Sequence, residues 1–136
     1  MKICADTYYF LELTKGDKDS VKLLEKIENG EHILFVPVIA LTELLTILYQ
    51  KGKAQLGENI FAQVMVTRNI HIVPFTANFC IRTAKIKHSF GLSISDASIV
   101  AAYKISNSDV LIAKDSDFST AIKQNYIKTK TPKELL

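Results

Sequence analysis

The strongest constraint on this chain is a repeated alternation. Short apolar runs rich in β-branched residues are each followed by longer stretches with helical spacing. Lys2–Ala5, Ile33–Val36, Ile70–Val73 and Asp109–Ala113 read as strands, with Tyr126–Ile127 as a last small one. The intervening stretches read as helices over Thr7–Thr14, Ser20–Asn29, Pro37 to Gln50, Ala54–Thr67, Phe75–Ser89, Ile94–Ser106 and Asp115–Gln124. Lys15-Gly16-Asp17, Gly30, Gly52 and Gly91 supply the breaks. Helices that return the chain between strands make those strands parallel and cover both faces of their sheet. The expectation is an α/β, three-layer fold: a central, mainly parallel sheet of four to five strands flanked by helices, forming one domain over residues 1–136.

Composition agrees and removes several classes. The chain has 136 residues and is 48% hydrophobic, enough to bury about two-thirds of its unfolded surface without a disulfide or metal staple. The longest apolar stretch, Ile33 to Leu41, contains Pro37 and falls far short of the ~20 residues that cross a bilayer. Asp6 interrupts the N-terminus before a signal-peptide apolar core could form, so a cytoplasmic location is expected and a membrane one is not. Cys4 and Cys80 lie far apart without ligand spacing and are expected to be reduced, buried and inert. The net charge of +3 permits a polyanionic partner without demanding one. Only Arg68 and Arg82 are arginines. The remaining positive charge is lysine, which favours backbone phosphate contacts over bidentate reading of bases.

Most of the 14 acidic residues decorate helix surfaces, but four do not. Asp6 and Asp115 end strands, where open α/β sheets bind ligands. Asp96 opens a helix, and Glu43 sits inside a helix that is otherwise almost wholly apolar. Each has a structural alternative. Asp6 could cap the Thr7 helix, Asp96 could complete a capping box with Ser93, and Asp115 or Asp117 could cap a turn. Glu43 could share a narrow wet stripe with Thr42, Thr46 and Gln50, but no lysine or arginine stands at i±3 or i±4 to help it, and unpaired glutamate is almost never fully buried. Taken jointly, four carboxylates converging on one sheet edge ask for a cation. Mg²⁺ or Mn²⁺ takes oxygen ligands and activates water for phosphodiester cleavage. No P-loop, Gly-rich dinucleotide loop or nucleophile motif competes.

The segments ICADT, VPVIALTELL, SISDASIVAAY and VLIAKDSDF, in this order, resemble the PIN-domain family. The whole length and spacing are similar to the VapC group, the toxin ribonucleases of type II toxin–antitoxin pairs. The resemblance implies a PIN-like fold, Mg²⁺- or Mn²⁺-dependent endoribonuclease activity, homodimers, and inhibition by a small antitoxin protein. It implies metal-ligand and catalytic roles for Asp6, Glu43, Asp96 and Asp115, with Asp117 as an accessory or alternative ligand. Thr7 matches the small hydroxyl residue that follows the first aspartate. Tyr8 departs from the serine or asparagine common in relatives and would reshape the substrate mouth.

Among other residues, Arg82 and Lys85 are candidate RNA contacts beside His88, though a solvated helix face explains them as well. Lys51, Lys53, Lys123, Lys128, Lys130 and Lys133 could steer RNA similarly. Tyr8 and Tyr9 could stack on a base or pack internally. His71 is expected to point outward from its strand, and Met65 to belong to the core. A haloacid-dehalogenase-type phosphatase would need a second aspartate where Tyr8 stands, and a receiver domain would need a phospho-accepting aspartate after the third strand, where Pro74 follows Val73. A PIN fold that only binds RNA or a partner, and an RNA-processing nuclease outside a toxin–antitoxin pair, remain as alternatives.

Overall fold

The computed structural model describes the backbone of all 136 residues and the side chains of all but Asp115. Its strands are β1 (Lys2–Ala5), β2 (Ile33–Pro37), β3 (Ile70–Val73), β4 (Val110–Ile112) and β5 (Thr129–Lys130). They form one sheet in the order β3-β2-β1-β4-β5, and every neighbouring pair is parallel. Cys4 of β1 pairs with Phe35 on one side and Leu111 on the other, so β1 is central. A strand buried on both faces needs an apolar side chain at every position, and Ile3, Cys4 and Ala5 are all fully buried. The strand order reverses at β1. β2 and β3 extend the sheet in one direction, β4 and β5 in the other. In doubly wound sheets the crevice at such a reversal, at the carboxyl ends of the strands, is where ligands bind.

Two cores occupy the two faces. Ile3, Ala5, Leu34, Val36, Val110 and Ile112 face a core built with α1 (Thr7–Thr14), α2 (Lys18–Glu28), α3 (Val38–Gln50) and α4 (Ala54–Val66). Cys4 and Leu111 face a core built with α5 (Phe79–Phe90), α6 (Ile94–Ile105) and α7 (Ser119–Lys123). Helix ends follow local chemistry. The Asp17 side chain accepts from Ser20 N at 3.0 Å to start α2, and Gly91, at φ +63°, ends α5 in a left-handed turn. Together the sheet and its helices make the expected three-layer α/β fold, with five strands.

Several expectations need correction. The last strand is Thr129–Lys130 rather than Tyr126–Ile127. Tyr126 stacks on Phe90 at 4.8 Å and Ile127 is buried in the core, so their apolar character serves packing rather than strand pairing. Helix α5 begins at Phe79, not Phe75, after turns closed by Phe79 N to Thr76 O and Cys80 N to Ala77 O. Cys80 is exposed, because the buried stripe of α5 runs through Phe79, Thr83 and Ile86. Met65 is 57% exposed for the same reason: the buried positions of α4 are Gly57 and Val64. Tyr9 is fully buried and donates its hydroxyl to Ser20 O at 3.0 Å, so it cannot stack on a base. His71 does lie outward, against Phe35.

Gly57 sets the approach of α4 to α3, the helix that carries Glu43. A Cβ built there would lie 3.2 Å from Leu45 Cδ2 and 3.4 Å from Leu48 Cδ1. Gly57→Val therefore overpacks this seam. It is expected to destabilise the chain by about 1–3 kcal/mol, read as a lower urea midpoint at unchanged slope.

Candidate active site

Asp6 is placed by the end of the central strand. Its backbone N–H donates to Ile112 O at 3.1 Å, which continues the β1–β4 ladder one step. The chain then turns into α1, with Asp6 as its N-cap and its Oδ1 accepting from Thr7 N at 2.7 Å. The capping alternative raised for Asp6 is thus real, and it leaves the carboxyl in the crevice, only 7% exposed. Burial raises its pKa to about 7 from an ordinary 3.8. The Thr7 N–H opposes that rise, while the charges of Asp96, Glu43 and Asp117 add to it. Three more carboxylates, from three different elements, therefore act on Asp6.

Glu43 reaches the site because α3 packs on α1. The Thr7 hydroxyl donates to Glu43 Oε1 at 2.9 Å. This bond, not a lysine or arginine, holds the half-buried glutamate. Thr7 is itself buried, and its hydroxyl faces the glutamate and Ala40 O. Sequence spacing gave no warning of this bond, because residues 7 and 43 are neighbours only after β2 has paired with β1.

Asp96 stands in the first turn of α6, where its N–H donates to the Ser93 side chain at 3.1 Å. Its carboxyl is half-buried and its pKa is raised, first by burial and then, against the Ser93 hydrogen bond, by Asp117 and Glu43. Asp96 thus takes part in both the cap and the acidic cluster. Asp117 lies on a single 3-10 turn, Asp115–Phe118, anchored by the fully buried ring of Phe118. Asp115 begins that turn, just beyond β4, and its side chain lies outside the described residues.

At the mouth, the Lys114 ammonium sits 5.5 Å from the Tyr8 ring centroid. Sequence reasoning passed over Lys114, although its place beside Asp115 marked it. Arg82 and Lys85 are not brought to the acids. They line a trench with Tyr126, and no acid lies in its lining.

The donor chemistry is that of hard oxygen ligands, suited to Mg²⁺ or Mn²⁺ rather than to soft metals. A buried carboxyl crowded by three others is a position where a nearby cation would be favourable. Among the described residues, no three His, Cys, Asp or Glu side chains close around a single point tightly enough to hold an ion as they stand. Mutual repulsion favours that open arrangement.

The sequence profile of the PIN domain matches residues 3–123. No curated protein matches the chain. Among solved structures, the fold is similar to the VapBC2 complex of Rickettsia felis bound to a promoter DNA fragment, with a TM-score of 0.74 and 12% identity over 96% of this chain and 98% of that one. It is similar to a toxin–antitoxin complex of Klebsiella pneumoniae, at 0.68 and 17% over 96% and 97%. The sarcin–ricin-loop-cleaving toxin VapC20 of Mycobacterium tuberculosis matches at 0.69 and 20% over 88% and 94%. At these identities the structures speak for the fold, whereas the profile covers most of the sequence, and the chain belongs to the PIN-domain family.

Proposed function

We propose that this protein is a divalent-metal-dependent endoribonuclease, the toxin of a toxin–antitoxin pair, acting as a single cytoplasmic domain. One observation carries the reading: a buried Asp6 carboxyl at the sheet's switch point, with its pKa raised to about 7 and with Asp96, Glu43 and Asp117 all acting on it. Asp6, Asp96 and Glu43 would hold Mg²⁺ or Mn²⁺, with Asp115 and Asp117 completing the acidic rim. When bound, the ion supplies a water of lowered pKa and charge stabilisation for the leaving oxygen. The chain's own residues orient that chemistry. Thr7 fixes Glu43 through one hydroxyl, the cap N–H of Thr7 fixes Asp6, and Ser93 fixes the start of the helix that carries Asp96. Tyr8 and Lys114, beside one another at the mouth, are placed to meet a base and a phosphate. The neighbouring solved toxins include one that cleaves the sarcin–ricin loop, which supports a cleaving activity for this chain.

Partners follow from a second feature. Phe10, Leu13, Val21, Leu24, Leu56 and Ile60 line a groove of about 430 Å³ between α1, α2 and α4. An apolar groove between helices accepts the apolar face of an amphipathic helix. Two of the similar structures are complexes of a toxin with its antitoxin, so we assign this groove to a small antitoxin. Val66 and Ile94 are among the most exposed large apolar side chains, at 77% and 67%. They provide surface for the homodimer we also propose. Among the described residues, no helix is long and apolar enough to cross a membrane.

Cleavage of RNA is expected in Mn²⁺ or Mg²⁺ and not in EDTA. Asp6→Asn and Glu43→Gln should each abolish it within the sensitivity of a gel assay. Thr7→Val, which only frees Glu43, should cost about 10–100-fold, as outer-shell changes do. Cleavage that persists in EDTA would overturn the metal reading.

The raised Asp6 pKa also predicts a pH dependence. Between pH 3.8 and about 7 the folded chain keeps on Asp6 a proton that the unfolded chain releases. Stability of the metal-free protein should therefore fall as pH rises through that window, and the loss should be complete above about 7. A shift of this size is worth on the order of 4 kcal/mol. Urea denaturation in EDTA at the two ends of the window should show the fall in wild type and a much flatter response in Asp6→Asn. Saturating Mn²⁺ should restore the wild type at the alkaline end.

The groove assignment is tested by co-expression with the polypeptide encoded by the neighbouring reading frame. Leu24→Asp together with Ile60→Asp should abolish co-purification and leave RNA cleavage intact. Retained co-purification would place the antitoxin elsewhere.

A further inference from the structure

Away from the carboxylates, positive charge gathers where α5, the end of α6 and the segment after α7 meet. One trench is lined by Asn78, Ile81, Arg82, Lys85, Ile86 and Tyr126. A second runs along Lys104, Asn125, Tyr126 and Lys128. They share Tyr126, so they form one continuous surface, and neither lining contains an aspartate or glutamate. Among the described residues, ion pairs join only Lys15 to Glu12 and Lys130 to Glu134. Among the described residues, Arg82, Lys85, Lys104 and Lys128 therefore have no carboxylate within ion-pair distance.

The cations are held there by the fold. The Lys104 ammonium lies 4.0 Å from the Tyr126 ring centroid, a cation–π contact. Phe90 stacks on the same ring at 4.8 Å. Partial burial lowers the pKa of Lys104, and the charge of Arg82 lowers it further. Two like charges thus stand within reach of one another with no anion between them. Such an arrangement is unfavourable in the free protein and is relieved by a phosphate.

We propose that this trench binds the sugar–phosphate backbone of a single RNA strand, several nucleotides away from the position engaged by the carboxylates. The identity of the polyanion rests on the ribonuclease reading; the cationic site itself does not. Helix α6 links the two places, since Asp96 and Lys104 lie eight residues apart on it, about 12 Å along the axis. A strand that enters the acidic crevice extends over the trench, and its phosphates replace the counter-charge that the acids at the other end of α6 repel. Lysine predominates and the shared ring is already covered by Lys104, so the surface reads charge rather than base identity.

The test is binding of a long, fluorescently labelled single-stranded RNA to the full chain in EDTA, where no cleavage is expected, followed by anisotropy between about 50 and 200 mM KCl. Each cation that meets a phosphate contributes about 0.7 to the slope of log affinity against log salt. Arg82→Gln, Lys85→Gln and Lys104→Gln together should lower the slope by about 2 and weaken binding by up to about a hundredfold at 0.1 M salt. Lys104 also packs on Tyr126, so a second variant, Lys85→Gln with Lys128→Gln, changes only exposed side chains; it should lower the slope by about 1.4. Lys85→Arg with Lys128→Arg should keep the wild-type slope. In Mn²⁺, the exposed double variant should still cut an oligonucleotide too short to span both places, while losing rate on the long RNA. Wild-type slopes in both Gln variants would overturn the proposal. Unchanged RNA binding with lost binding of polyglutamate would overturn it in favour of an acidic protein partner. If wild type cuts no RNA in Mn²⁺ but the slopes fall as stated, the ribonuclease reading fails and the trench stands.

Discussion

A carboxylate buried at the end of the central strand is the interaction around which the site is organised. β1 is flanked on both sides and covered on both faces, so whatever follows Ala5 emerges from the middle of the protein. Placing Asp6 there disfavours its charged form, and the strand order reverses at that point, so a crevice opens beside it. The backbone N–H of Thr7 meets part of the cost. Glu43, Asp96 and Asp117 add to that cost, and the cation of the proposed function would offset it.

The same constraint explains why so much of the fold was legible. A strand buried on both faces must be an apolar run, and Lys2–Ala5 past its exposed lysine and Ile33–Pro37 announce themselves that way, while the edge strand Ile70–Val73 shows the same signal broken at His71. Their ends then locate the acids. β5 was misplaced because an edge strand of two residues has no such requirement. Thr129 and Lys130 pair with Leu111 and Ile112, while the apolar signal of Tyr126 and Ile127 belongs to packing on α5 and α6. Cys80 and Met65 were misjudged for a different reason. Residue type outweighed position, although a 3.6-residue period starting from Phe79 or Val64 leaves both off the buried stripe.

Within the site, the sequence revealed the acids but not what holds them. Asp6, Asp96 and Glu43 could be singled out because acids are rare at strand ends and on apolar helices. The hydroxyl of Thr7 on Glu43 depends on the packing of α1 against α3, residues 7 and 43 being 36 positions apart, and no local pattern encodes it. Arg82 and Lys85 show the converse. Their charge marked them as candidate RNA contacts, and the fold sets them away from the acids, on α5 beside Tyr126.

That separation gives the charge distribution a physical meaning. A net charge of +3 is too small to define a partner, but the charge is not spread evenly. Acids crowd one end of α6, and cations without an ion pair among the described residues crowd its other end. Opposite charges placed at the two ends of one helix would gain most by lying near each other, and the fold keeps them apart. A metal ion can neutralise the acidic end, leaving the cationic end to hold an anionic strand. Under the proposed function, the two ends would then hold a single substrate in one orientation, the crevice of the acids taking the phosphate to be cut and the lysine trench those farther along. Helix α6, buried along Ala97–Tyr103, is the rigid element that fixes the spacing between them.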